Sequence, residues 1–254
     1  MKLLRVLLLT VTVALSFSAK AQVNDGLSLN LGFALGSSNW QCYENLFKDY
    51  NEIRPWLTTP ADYTDIRYGL SLGIGTSGEK VLYQYNFYGF KSSLFVEGTD
   101  TAGYVTHMSY IMKSRGMELM FGGYILNRDK FRIGLLGGIT INKIALRTSD
   151  KSAAERASMT ALRILFLAPV RRAFGTVEDH FFLGGRVAIP IAFGEKHALS
   201  IEPFFNISCW KVNLEDDRQN ISNGIPSAHD NSYFKSMLSS YGVRAVFCLG
   251  LSKD

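Results

Sequence analysis

From Leu27 to the end of the chain, apolar and polar residues alternate with a period of two rather than 3.6. Ten segments follow this pattern: 27–36, 64–76, 80–96, 102–113, 116–126, 130–145, 157–168, 180–193, 196–212 and 235–251. In the first, Leu27, Leu29, Leu31, Phe33 and Leu35 share one face, with Ser28, Asn30 and Ala34 on the other. In 64–76, Ile66, Tyr68, Leu70, Leu72 and Ile74 oppose Arg67, Gly69, Ser71 and Gly73. In 102–113 the apolar set is Tyr104, Met108, Tyr110 and Met112; in 116–126 it is Met117, Leu119 and Phe121. Segment 157–168 fits least well and also reads as a short helix. No other helix of convincing length is expected, and no repeat or linker interrupts the pattern, so residues 22–254 read as one all-β domain.

The orientation of the two faces decides what kind of β protein this is. A soluble sandwich turns its apolar face inward. A membrane barrel turns it outward to lipid and lines its lumen with polar groups. The apolar faces here are consistent and rich in Leu, Ile, Val, Tyr and Phe. The polar faces carry Gly69, Gly73, Gly122, Gly134, Gly138, Gly184, Gly242 and Gly250. Glycine weakens a solvated strand but fits a crowded interior. Few charges sit on those faces, too few for a sheet bathed in water. Long connections at 37–63 and 213–234 follow odd-numbered segments. Tight turns at Thr76-Ser77-Gly78-Glu79, Ser114-Arg115 and Gly194-Glu195 follow even ones. Short turns at one end and long loops at the other suit an up-and-down barrel. The expected fold is a closed antiparallel transmembrane β-barrel of about ten strands, with eight as the smaller even count.

The first 21 residues belong to a different class of segment. Lys2 and Arg5 precede a short apolar core, and Ala19-Lys20-Ala21 forms an A-x-A cleavage site. This is the pattern of a cleaved secretory signal peptide, 1–21, leaving Gln22 first. Its removal lowers the formal net charge from +5 to +2, so the basic character of the whole chain gives no case for a nucleic-acid partner. The aromatic fraction, 13%, excludes a disordered chain. The 3 cysteines exclude a disulfide-dense scaffold. Alternation puts Cys209 outward and Cys248 inward, which disfavours a bridge between them.

These residues resemble the small outer-membrane β-barrel family of Gram-negative bacteria, the OmpA-like transmembrane barrels and their porin-like relatives. The closing run Ser240-Tyr241-Gly242-Val243-Arg244-Ala245-Val246-Phe247 is similar to the family's assembly signal, although Cys248 to Asp254 extend past the aromatic residue. The resemblance implies an outer-membrane location, contact with membrane lipid and lipopolysaccharide, and insertion by the barrel-assembly machinery. It implies no cofactor.

Candidate chemistry is sparse. Gly73-Ile74-Gly75-Thr76-Ser77-Gly78 matches G-x-G-x-x-G, but another alternating strand follows it where a phosphate-binding helix would be needed. His107, His180, His197 and His229 show no metal-ligand spacing. Ser227, His229, Asp230 and Ser232 share the last long loop, a set that a lipid-modifying enzyme would require. The inward charges Arg67, Glu118, Arg132, Arg186, Glu202 and Arg244 form the principal candidate cluster. They serve either as a salt-bridged plug, since small barrels are about filled by side chains, or as a charged pore constriction. The loop 37–63 carries Trp40, Tyr43, Phe47, Tyr50, Trp56 and Tyr63, which could bind a surface partner or pack over the barrel mouth. The expected function is structural or interactive at the cell surface, without catalysis. The alternatives are a lipid-modifying barrel enzyme and a soluble exported barrel or sandwich that binds a ligand.

Overall fold

The computed structural model describes residues 26–78, 80–103, 105–128, 131–149, 178–193, 197–222 and 225–251. The expected signal peptide and segment 157–168 lie outside them. The strands are β1 (Gly26–Asn39), β2 (Leu57–Thr59), β3 (Ile66–Ser77), β4 (Val81–Thr99), β5 (Val105–Arg128), β6 (Phe131–Ser149), β7 (Glu178–Phe193), β8 (His197–Asn213) and β9 (Lys235–Gly250). Among the described residues two α-helices, α1 (Gln41–Glu52) and α2 (Glu215–Ser222), lie in the connections β1–β2 and β8–β9.

Strand pairing closes on itself. Each long strand pairs antiparallel with its neighbour, β4 pairs with β5, and β9 returns to β1, so eight strands form a ring. The three-residue β2 adds to the upper part of β4, beyond the end of β3. Closure leaves no unpaired sheet edge within the ring. The short connections β3–β4, β5–β6 and β7–β8 share one end, and the long connections share the other.

Of the two segments by which the expectation exceeds the ring, one, 157–168, lies outside the described residues, and the other has a clear origin. Segments 102–113 and 116–126, expected as two strands around a turn at Ser114-Arg115, are one continuous strand, β5. Its apolar residues change faces. Tyr110 and Met112 are buried and point inward; Met117, Leu119 and Phe121 are exposed and point outward. That reversal of phase looks like a turn in the sequence. Its cause is that β5 runs from an apolar cap at the loop end down into the lipid-facing wall. At 24 residues β5 is more than twice the ~9–11 that a spanning strand needs.

Around the ring, Ile74, Tyr85, Leu119, Ile139, Leu183 and Ile207 are successive cross-strand partners. All six face outward and are exposed, Leu183 by 57%. Tyr83 stands opposite Phe121 towards the turn end, and Phe181 touches Trp210 at 5.3 Å on the outer surface. The adjacent inward positions are polar and buried, among them Asn30, Ser71, Asn86, Thr140, Asn142 and Ser200. The outside of the ring is thus apolar and its inside polar, as in a transmembrane barrel. Space inside is scarce, as the glycines predicted: a Cβ on Gly73 would collide with the Asn86 amide, and one on Gly184 with Asn206.

The expectation of no further helix is corrected by α1. Its buried residues Cys42, Tyr43, Leu46, Phe47 and Tyr50 recur at helical spacing and lie on the barrel mouth. There they join Val96, Tyr110, Ile144, Leu146, Phe182, Phe234 and Leu238 in one apolar cluster. This cap is a water-soluble type of core built on top of a membrane-type wall.

Candidate functional site

The six inward charges are all buried, none more than 7% exposed. Four of them meet at the centre of the lumen. Glu202 and Arg244 are direct cross-strand partners on β8 and β9, with Nη2 to Oε2 at 2.6 Å and Nε donating at 3.1 Å. Arg186, on β7, reaches Glu202 at 3.4 Å and donates to Glu118 Oε2 at 2.6 Å. Glu118 projects from β5, and Arg244 also pairs with it. Two guanidinium groups and two carboxylates therefore alternate across the barrel.

Neutral amides complete the network. Gln84 Nε2 donates to Glu202 Oε1 at 3.0 Å, while Gln84 Oε1 accepts from Arg186 at 2.9 Å and from Arg244 at 3.2 Å. Asn86, the cross-strand partner of Glu118, donates to it at 2.9 Å. Isolated charges could not be buried here, because desolvation would exceed any single attraction. Two of each sign, tied by hydrogen bonds, give a net-neutral bridge that spans the bore.

Arg67 and Arg132 do not join this cluster. Arg67 lies near the loop end with its guanidinium 3.3 Å from the Trp40 ring centroid. Its Nη2 donates to Tyr63 Oη at 3.2 Å and touches Met112 Sδ at 2.8 Å. Arg132 lies over Tyr124 on the turn side, at 5.3 Å. The sequence placed all six inside but could not show which would meet, since that depends on stagger between strands.

Below the charge cluster, towards the turn end, an open cavity of about 70 Å³ is lined by Asn30, Leu82, Gln84, Tyr124, Ser200 and Cys248 among others. Cys248 faces this interior, Cys209 is exposed on the outer wall and Cys42 is buried in the cap; all three are free thiols.

The aromatic loop is mostly structural. Trp40, Tyr43, Phe47 and Tyr50 are buried in the cap, with Phe47 and Tyr50 edge-on to Tyr110. Burial pushes the Cys42 thiol and the Tyr43 hydroxyl above their ordinary ranges. Polar ties hold the two loops together: Asn45 donates to the Tyr233 carbonyl at 2.6 Å, and Arg54, stacked on Tyr50, donates to the Ile221 carbonyl at 3.1 Å.

The loop set Ser227, His229, Asp230 and Ser232 does not assemble as a catalytic triad. Ser227 Oγ donates to Asp49 of α1, and His229 Nε2 meets Glu52 at 2.8 Å while its ring stacks on Tyr233 at 4.0 Å. Asp230 instead caps the 3₁₀ turn Asn231–Phe234, accepting from Ser232 N at 2.9 Å and Tyr233 N at 3.2 Å. The Ser232 hydroxyl and these N–H groups hold its carboxyl below the usual aspartate range. Asp49, Glu52 and His229 place one potential metal-ligand atom each within 4.8 Å of the others, a grouping that linear spacing could not reveal. Those atoms already have partners: Arg218 Nε lies 3.4 Å from Asp49, and His229 takes Glu52. The group reads as a latch between α1 and the last loop.

The motif at Gly73 to Gly78 lies in β3 and the turn after it, and β4 follows. It offers no helix N-terminus to a phosphate.

No protein-family model and no curated protein matches the chain. Among solved structures, the Neisserial surface protein A is similar at 8% identity and a TM-score of 0.45, over 89% of this chain and 97% of that one. OprG, an outer-membrane protein of Pseudomonas aeruginosa, follows at 12% identity and 0.40, covering 90% and 95%. Ail, the attachment invasion locus protein of Yersinia pestis, gives 7% identity and 0.36, covering 89% and 100%. These neighbours are small outer-membrane proteins. The barrel here rests on its own closed ring of strand pairs and its inverted faces.

Proposed function

We infer that the protein is an integral outer-membrane β-barrel with a structural or surface-interaction role, whose lumen is shut to solutes. The observation that carries this reading is the neutral bridge of Glu118, Arg186, Glu202 and Arg244, buried at the centre of a ring that is apolar outside. A pore constriction would leave its charges hydrated and facing one sign of ion. Here each carboxylate is saturated by guanidinium and amide donors. The apolar cap closes the loop end as a second barrier.

The expected contacts are membrane lipid and lipopolysaccharide along the outer wall, and the assembly machinery during insertion. A surface partner would meet the outer face of the loops 37–63 and 213–234. That face presents Gln41, Lys48, Glu52, Asp62, Asp216 and Asn220, while Trp40, Tyr43, Phe47 and Tyr50 are turned inward. The proposal includes no catalysis: Ser227 is committed to Asp49, His229 to Glu52, and Asp230 to a cap.

Fractionation with planar-bilayer recording tests the reading. The protein should sit in the outer-membrane fraction, migrate faster in SDS before boiling than after, and give no steady conductance. A stable open channel, or a soluble protein with no gel shift, would contradict it. An altered lipid acyl profile that disappears in His229→Ala would restore the enzyme reading.

A further inference from the structure

Above the charge bridge and beneath the cap lies a small, partly open cavity of about 30 Å³. A water needs roughly 10–15 Å³ on this measure, so the space holds about two waters or one small ion. Three of the residues that line it carry buried polar atoms with no partner: Arg67 Nε, Trp40 Nε1 and Thr140 Oγ1. The residues are 6%, 3% and 1% exposed. Buried polar groups are nearly always satisfied, so three orphans on one cavity need a common explanation.

Charge supplies it. Arg67 is buried and forms no ion pair among the described residues. Its neighbours are the Trp40 ring, the Tyr63 hydroxyl and the Met112 sulfur, none of them anionic. The exposed Asp65, just before β3, attracts Arg67 from a distance but forms no ion pair with it. The carboxylates of the bridge below are taken by Arg186 and Arg244. A guanidinium stacked face-on against an aromatic ring keeps its N–H edge for an in-plane acceptor. An indole N–H is a donor and carries no acceptor, and a hydroxyl can turn to donate. The side-chain amides of Asn142 and Asn206 and the Ser240 hydroxyl complete a polar lining.

We propose that this chamber binds one small monovalent anion of halide size, held by Arg67, Trp40 and Thr140, as the counter-ion that allows Arg67 to be buried. A halide is close in size to the waters it would replace, which makes chloride the natural occupant and sulfate the control. The site links the cap to β3 and β6, so occupancy steadies the closure of the loop end.

Two readings test it on the full mature protein. Crystals grown in sodium bromide are expected to show one anomalous peak within hydrogen-bond distance of Arg67, Trp40 Nε1 and Thr140 Oγ1. In detergent, protein refolded from urea in sodium chloride should unfold at a higher temperature than protein refolded in sodium sulfate of equal ionic strength, and the rise should saturate. Trp40→Phe keeps the ring but removes the N–H, and Thr140→Val keeps the shape but removes the hydroxyl. Each should move the chloride midpoint several-fold higher while the barrel still shows its SDS gel shift. Arg67→Met should abolish the response. Waters without bromide in the chamber, bromide in the crystal with no chloride effect in solution, or equal responses in wild type and both conservative variants would each overturn the proposal.

Discussion

Glu202 on β8 and Arg244 on β9 stand directly opposite each other in the sheet, and their side chains meet at 2.6 Å inside the barrel. The pair holds the last two strands in register and anchors a bridge that extends through Arg186 to Glu118 on the far wall. Each member depends on the others, because a buried charge is tolerated only while its neutralising partners remain.

Removing one charge should therefore be costly. Arg186→Met leaves Glu118 and Glu202 with Arg244 alone between them, and a loss of about 3–5 kcal/mol is expected. The temperature at which the unboiled gel species converts to the unfolded one should fall. Adding Glu118→Gln restores one charge of each sign and should recover part of the loss. A double variant no more stable than Arg186→Met would argue against the neutral-bridge account. Unchanged stability with new conductance in Arg186→Met would mark the cluster as a pore constriction.

The cap should open without the barrel. Phe47 and Phe234 are 1% and 0% exposed in its core, and truncating such an aromatic residue to alanine costs about 3–5 kcal/mol. Cys42 is on the buried face of α1, with 0% exposure. Phe234→Ala should therefore make Cys42 reactive towards a water-soluble maleimide while the SDS gel shift persists. With Cys209→Ser removing the exposed thiol, mass spectrometry of the labelled peptide gives the rate. A Cys42 rate equal to wild type would mean that the cap is not a separate unit.

The start of the 3₁₀ turn predicts a pH effect. Asp230 is held below its ordinary range by the Ser232 hydroxyl and the backbone N–H groups of Ser232 and Tyr233. A carboxylate with a lowered folded-state value stabilises above its unfolded value, and that stabilisation is lost as pH falls through the folded-state value. Hydrogen exchange of the Ser232 and Tyr233 amides should accelerate as pH drops below the normal aspartate range, beyond the intrinsic trend. Asp230→Asn keeps a cap acceptor and should remove this pH dependence. The same acid-side loss in Asp230→Asn would place the cause elsewhere.

The alternation of Leu27 to Leu35 and of Phe181 to Ile191 made the barrel legible, because period two and the inward glycines follow directly from a narrow lumen between lipid and polar groups. The six inward charges were legible for the same reason. Three features escaped. At Ser114 to Gly116, β5 exchanges one apolar environment for another on the opposite face, which mimics a turn when sequence is read one segment at a time. The spacing of Tyr43, Phe47 and Tyr50 carries a helical signal inside a connection that shows no period of two. The contacts of Asp49 with Ser227 and of Glu52 with His229 join residues about 180 positions apart, and no local pattern encodes them.

The central claim is that the exposed apolar row around the ring faces lipid. Nitroxide labels at Leu119, Ile139 and Leu183, with Lys48 on the cap as a water-exposed reference, test it in reconstituted vesicles. At the three wall positions, oxygen dissolved in lipid should relax the label far more than a water-soluble nickel complex does, and Lys48 should show the reverse. Wall positions as open to nickel as Lys48 would place the apolar face in water and contradict a membrane-spanning barrel.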